Sequence, residues 1–62
     1  MNRMKEFRAI VRMKQVELGV NIGIHASRLS QIECGWVRPR PDERIRIARA
    51  LGVEEKKIFP EN

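Results

Sequence analysis

Few side chains in this sequence could do chemistry. Its one histidine, His25, and one cysteine, Cys34, bracket a stretch that is apolar at Leu29 and Ile32, a helical spacing. At opposite ends of a helix they cannot meet as base and nucleophile, and the carboxylates are scattered over exposed helix faces. Catalysis needs titratable groups that converge in a concave site, so no enzyme is expected. One Cys and one His cannot close a tetrahedral zinc site, and a single cysteine excludes an internal disulfide, so neither metal nor cofactor is expected. What remains is hydrogen bonding. On an ideal wheel Ser27, Ser30, Gln31 and Cys34, flanked by Ala26 and Arg28, lie opposite Leu29 and Ile32. That face is short and polar, which suits insertion into a groove better than solvation.

A second helix must hold this one. Leu18 and Ile22, four residues apart, mark a helix from Gln15 to Ile22. The joint through Asn21 and Gly23 is too rich in turn-formers to continue it, and Gly23 takes a positive φ cheaply. Gly19 removes a side chain one turn before the corner, which lets the backbones approach, and Ile24 plugs the angle between the helices.

Met4, Phe7 and Val11 repeat at helical spacing and predict an amphipathic helix from about Arg3 to Arg12, with Arg8 at the edge of its stripe. Met13 is expected in the core. The run WVRPRP after Gly35 is a loop, and Pro39 followed by Arg40, Pro41, Asp42 and Glu43 reads as the start of the next helix, Pro suiting the first turn and the two acids complementing its dipole. Along it Ile45, Ile47, Ala48 and Leu51 are expected to turn inward while Arg44, Arg46 and Arg49 stay wet, and Gly52 ends it. A short helix from Glu54 to Ile58 returns Val53, Ile58 and Phe59 to the core. The fold class is all-α: five helices, short loops, no strand signal and no repeat.

The 62 residues allow one domain, 1–62, with one small core. Thirteen Lys and Arg against eight Asp and Glu give a formal charge of +5, which fits a polyanionic partner. No apolar run approaches a membrane span and MNRMKEFR is not a signal peptide, so a cytoplasmic location is expected.

Residues Gln15 to Gly35 resemble the helix-turn-helix of the Cro/repressor (XRE-like, lambda-repressor-like) family of DNA-binding domains. The resemblance rests on Gln15, Leu18, Gly19, Ile22, Gly23, Ile24, Leu29 and the closing Ile32, Glu33 and Gly35, and extends outward over nearly the whole chain. It implies a compact five-helix lambda-repressor-like domain and an ion pair between Arg8 and Glu33. It places Ala26, Ser27 and Gln31 at base-reading positions, where Gln31 suits a purine edge, preferably adenine, and Ala26 a thymine methyl. Arg28 then reaches a guanine or a phosphate, or is a solvated surface arginine. Gln15 falls where relatives contact the DNA backbone. His25 either caps the third helix, the favoured role since relatives have Ser or Thr there, or meets phosphate.

The chain departs from the family in two places. Arg12, Met13 and Lys14 replace the usual Gly, Leu and Thr or Ser, so the second helix should start less well capped. Cys34, Gly35 and Trp36 replace Asn, Gly and Lys, with Arg38 and Arg40 restoring the charge for phosphate. Trp36 covers the core, packs on the DNA sugar-phosphate edge or serves a protein interface, ranked in that order.

The function this resemblance implies is a prokaryotic or phage transcriptional regulator, a repressor, with the helix from about Ala26 to Glu33 in the major groove of a double-stranded DNA operator. A homodimer is expected on a two-fold operator, joined through the fourth and fifth helices, with no small-molecule effector. A DNA-binding antitoxin or a restriction-modification controller would share this physics. A protein-interaction module anchored by Trp36 and Val37 would not, since it would bind duplex weakly and without sequence preference.

Overall fold

The computed structural model describes residues 2–60. Its helices are α1 Met4–Val11, α2 Gln15–Ile22, α3 Ala26–Glu33, α4 Pro41–Leu51 and α5 Glu55–Ile58, with no strand among the described residues. The all-α expectation therefore holds; α1, α2, α3 and α5 lie within a residue or so of where the sequence puts them, and α4 begins at Pro41, inside the start signal that runs from Pro39 to Glu43.

The core is the set of stripes those spacings define. Met4, Leu18, Leu29, Ile32, Ile47 and Ile58 are fully buried, and Ile24, Ala48, Leu51 and Phe59 nearly so. Phe7, Met13, Ile22 and Val37 pack on it from the margin. Two expectations fail. Val11, in the last turn of α1, is 42% exposed, and Ile45 on α4 is 43% exposed. The buried stripe of α4 runs through Glu43, Ile47, Ala48 and Leu51. Ile45 is two positions from both Glu43 and Ile47, which turns it away from that stripe.

The arginines of α4 also correct the sequence reading. Arg44 and Arg46 are half-buried and bonded rather than wet; Arg49 alone is exposed. Arg44 lies 5.2 Å over the Phe59 ring and donates from Nη2 to the Phe59 carbonyl at 3.2 Å. Its Nε sits 3.1 Å from Glu55, an ion-pair distance without hydrogen-bond alignment. Arg46 donates to the Ile22 carbonyl at 2.6 Å and to Asp42 at 3.0 Å, so α4 caps the carbonyl end of α2.

The corner between α2 and α3 is built as its residues require. Gly23 has φ 71, and Ile24 donates its N–H back to the Gly19 carbonyl at 3.0 Å. A methyl group on Gly19 would overlap the Ile24 carbonyl oxygen, so the close crossing needs the missing side chain. The corner between α1 and α2 is less orthodox. Arg12 occupies the left-handed region at φ 57, closing α1 with bonds from Arg12 N–H to Ala9 and from Met13 N–H to Arg8. Lys14 follows as the residue capping α2. Its ammonium has no lone pair to offer the helix, but the Glu17 carboxylate accepts the Lys14 backbone N–H at 2.8 Å. The expected weak cap is thus half repaired by the reciprocal bond of a capping box.

Candidate nucleic-acid interface

Leu29 and Ile32 are fully buried, and the opposite face of α3 is bare: Ser27, Gln31 and Cys34 are exposed, Ala26 and Ser30 half-buried. Among the described residues, no other segment covers Ser27 and Gln31, the two side chains best suited to reading base edges.

At the N-terminal end of α3, His25 caps the helix. Its Nδ1 accepts the Ser27 backbone N–H at 3.1 Å and lies 2.9 Å from the Ser27 hydroxyl oxygen. Of the two roles open to it, capping is the one formed; with Nδ1 accepting, the proton of the neutral ring is on Nε2.

Arg28, considered for bases or phosphate, is turned elsewhere. Its Nε and Nη2 grip the two Glu43 oxygens at 2.6 and 2.9 Å. Glu43 is only 1% exposed and also accepts the Arg40 backbone N–H at 2.8 Å. The Arg28 guanidinium, against the opposing effect of burial and with the Arg40 amide assisting, holds the Glu43 carboxyl down at about 2. Sequence reasoning gave Glu43 only a dipole role. The available signal was its place three residues after Arg40, where a Glu reaches back to the capping N–H. Arg40 itself is largely exposed and spans Asp42 at 3.3 Å and Glu43 at 3.8 Å. Arg38 is exposed. Arg28, Arg40 and Arg46 share with Gly23, Ile24 and His25 a cleft of about 310 Å³ above Glu43.

At the other end, Arg8 meets Glu33 as the resemblance implied, with Nη2 2.7 Å from Oε2 and Nε 3.2 Å from Oε1. Arg8 Nη1 also donates to the Met13 carbonyl at 3.0 Å. Gln15 joins this group, donating from Nε2 to Glu33 Oε1 at 2.9 Å. It is therefore a half-buried structural partner, with one amide hydrogen left for another acceptor. Burial pushes the Glu33 carboxyl up, but the bonds from Arg8 and Gln15 outweigh it and its pKa lies below the ordinary value. Asn2, unremarked in the sequence, accepts the Met4 N–H at 3.1 Å and donates to the Ile32 carbonyl at 2.8 Å, tying the chain's start to the end of α3.

Trp36 corrects its first-ranked role. It is 82% exposed and covers no core; the loop is closed instead by its backbone N–H, which donates to the Gln31 carbonyl at 2.9 Å.

Two helices joined at a tight glycine corner, the second with a bare polar face, define a helix-turn-helix domain. The family model described as a helix-turn-helix domain matches residues 2–58, and the chain belongs to that family. Membership is consistent with the Cro/repressor resemblance and indicates DNA binding. No curated protein matches the chain. Among the described residues, no helix is long and apolar enough to cross a membrane.

Proposed function

We propose that this chain, as one domain, is a sequence-specific double-stranded DNA-binding regulator of transcription, acting as a repressor, with α3 in the major groove. The observation that carries this reading is the uncovered pair Ser27 and Gln31 on a helix anchored from behind by Leu29 and Ile32. Gln31 has the amide to bridge the N6 and N7 positions of adenine, Ser27 accepts several partners, and Ala26 offers a methyl to thymine. Phosphates fall to the free hydrogen of Gln15, the Nε2–H of His25, the guanidinium groups of Arg38 and Arg40, and the indole N–H of Trp36. Arg28, held by Glu43, is left out of the reading set.

One such domain spans a half-site, so a homodimer on a two-fold operator is the expected form. Selection of bound duplexes from a random pool tests the whole reading. Enriched sites should show paired half-sites about 34 Å apart, and affinity should fall with salt at a log-log slope of about −0.9 per phosphate contact. Binding without enrichment and without salt dependence would refute it. Trp36, 82% exposed, favours a protein-interaction module as the second reading, with Val37 beside it as anchor. That module would show a partner interface lost in Trp36→Ala and no preferred duplex.

A further inference from the structure

The ion pairs divide the positive charge unevenly. Arg3, Arg8, Arg28, Arg40, Arg44 and Arg46 all stand against carboxylates. Arg12 and Lys14 are exposed, and among the described residues neither side chain forms an ion pair. The corner carrying them is pinned to the C-terminal end of α3, because Arg8 bonds both the Met13 carbonyl and Glu33 while Gln15 bonds Glu33.

Neither residue is the one the fold would choose. Arg12 takes a left-handed φ of 57, which glycine adopts without a clash from Cβ. Lys14 caps α2 with a side chain that accepts nothing, where a hydroxyl would accept a free helix N–H. Two locally unfavourable choices sit two positions apart, and what they share is a positive charge on the corner pinned to α3. Local rules broken together in this way point to a demand other than stability.

We propose that Arg12 and Lys14 form a second clamp on the DNA backbone, gripping phosphates at the edge of the groove beside the C-terminal end of α3. This rests on the regulator reading and adds to it a contact set at the corner between α1 and α2. Arginine and lysine there neutralise phosphate and set affinity, not sequence choice.

The test compares the full chain with Arg12→Gly, Lys14→Ser, the two combined, and Lys57→Ser on α5 as a control of equal charge. Each duplex selected by the wild type is titrated over a range of salt, and each variant is melted. The clamp predicts that Arg12→Gly and Lys14→Ser each reduce the salt slope by about 0.9, with the preferred sequence unchanged, no fall in melting temperature, and little effect of Lys57→Ser. A double variant that keeps the full slope overturns the clamp. So does a control that loses as much slope, since that makes the effect one of net charge. A melting temperature that falls together with binding overturns it too, by making the residues structural. Failure of the regulator reading looks different: the wild type itself then shows no salt-sensitive, sequence-selective binding, and the clamp falls with it.

Discussion

Arg28 turns from α3 to grip Glu43 on α4, its Nε 2.6 Å and its Nη2 2.9 Å from the two carboxylate oxygens. With the Arg40 N–H on the same carboxylate, the first turn of α4 is tied to the N-terminal half of α3. Glu43→Ala leaves these donors without their buried acceptor and is expected to destabilise the fold by about 2 kcal/mol in urea unfolding at neutral pH. The pH dependence has a definite sign. A carboxyl held at about 2 when folded, against an ordinary 4.5, binds protons more readily in the unfolded chain. Its contribution is full above pH 4.5 and is lost as pH falls toward about 2. Glu43→Gln should therefore flatten stability against pH across that window. A variant as acid-sensitive as the wild type would assign the acid transition to other groups.

The Arg8 and Glu33 pair makes a second tie between helices. Both side chains are mostly buried, at 15% and 10% exposure, and the pair joins α1 to the end of α3. Arg8→Ala strands a largely buried carboxylate that keeps the Gln15 hydrogen bond but loses its ion-pair partner, and about 3 kcal/mol should be lost. Pairing it with Glu33→Gln should recover part of that loss, because the stranded charge is gone. A double-mutant cycle in urea with no coupling between the two positions would reject the pairing.

Gly19 tests the corner. Alanine is the better helix former by about 1 kcal/mol, so propensity alone says that Gly19→Ala stabilises α2. The added methyl would overlap the Ile24 carbonyl and lie 3.4 Å from Leu29 Cδ1, forcing the α2 and α3 backbones apart. Overpacking against backbone should prevail, for a net destabilisation of about 2 kcal/mol in urea unfolding. A more stable variant would show that the helices can separate freely.

The bare polar face of α3 was legible because periodicity reports where Cβ atoms point: Leu29 and Ile32 go in, so Ser27 and Gln31 stay out. The glycine corner was legible for a similar reason, since Gly19 and Gly23 solve steric problems visible in the sequence. Long side chains escaped that logic. A wheel places the Cβ of Arg28, Arg46 or Gln15 at a helix surface, but their polar ends travel to Glu43, the Ile22 carbonyl and Glu33. Ile45 reads as inward beside Ile47, Ala48 and Leu51, but it is two positions from Ile47, and the buried Glu43 takes that part of the stripe. Covering the core ranks first of three roles that the sequence leaves open for Trp36, but the side chain is exposed and its backbone does the anchoring.

Gln31 separates sequence reading from backbone attraction. It is exposed on α3, and its carbonyl accepts the Trp36 N–H at 2.9 Å through the main chain, so removing its side chain leaves the end of α3 intact. Gln31→Ala should melt within about 0.5 kcal/mol of the wild type, as expected for a surface substitution. The effect expected of it is on DNA binding. Loss of a bidentate contact to one base should lower discrimination at that position by about 1 to 3 kcal/mol, while phosphate contacts and the salt slope stay the same. Ser27→Ala should do less, since a hydroxyl bonds several bases with little preference. The measurement is competition between the selected duplex and its single-base variants at fixed salt. A Gln31→Ala protein with undiminished discrimination at every position would move base reading off this face of α3.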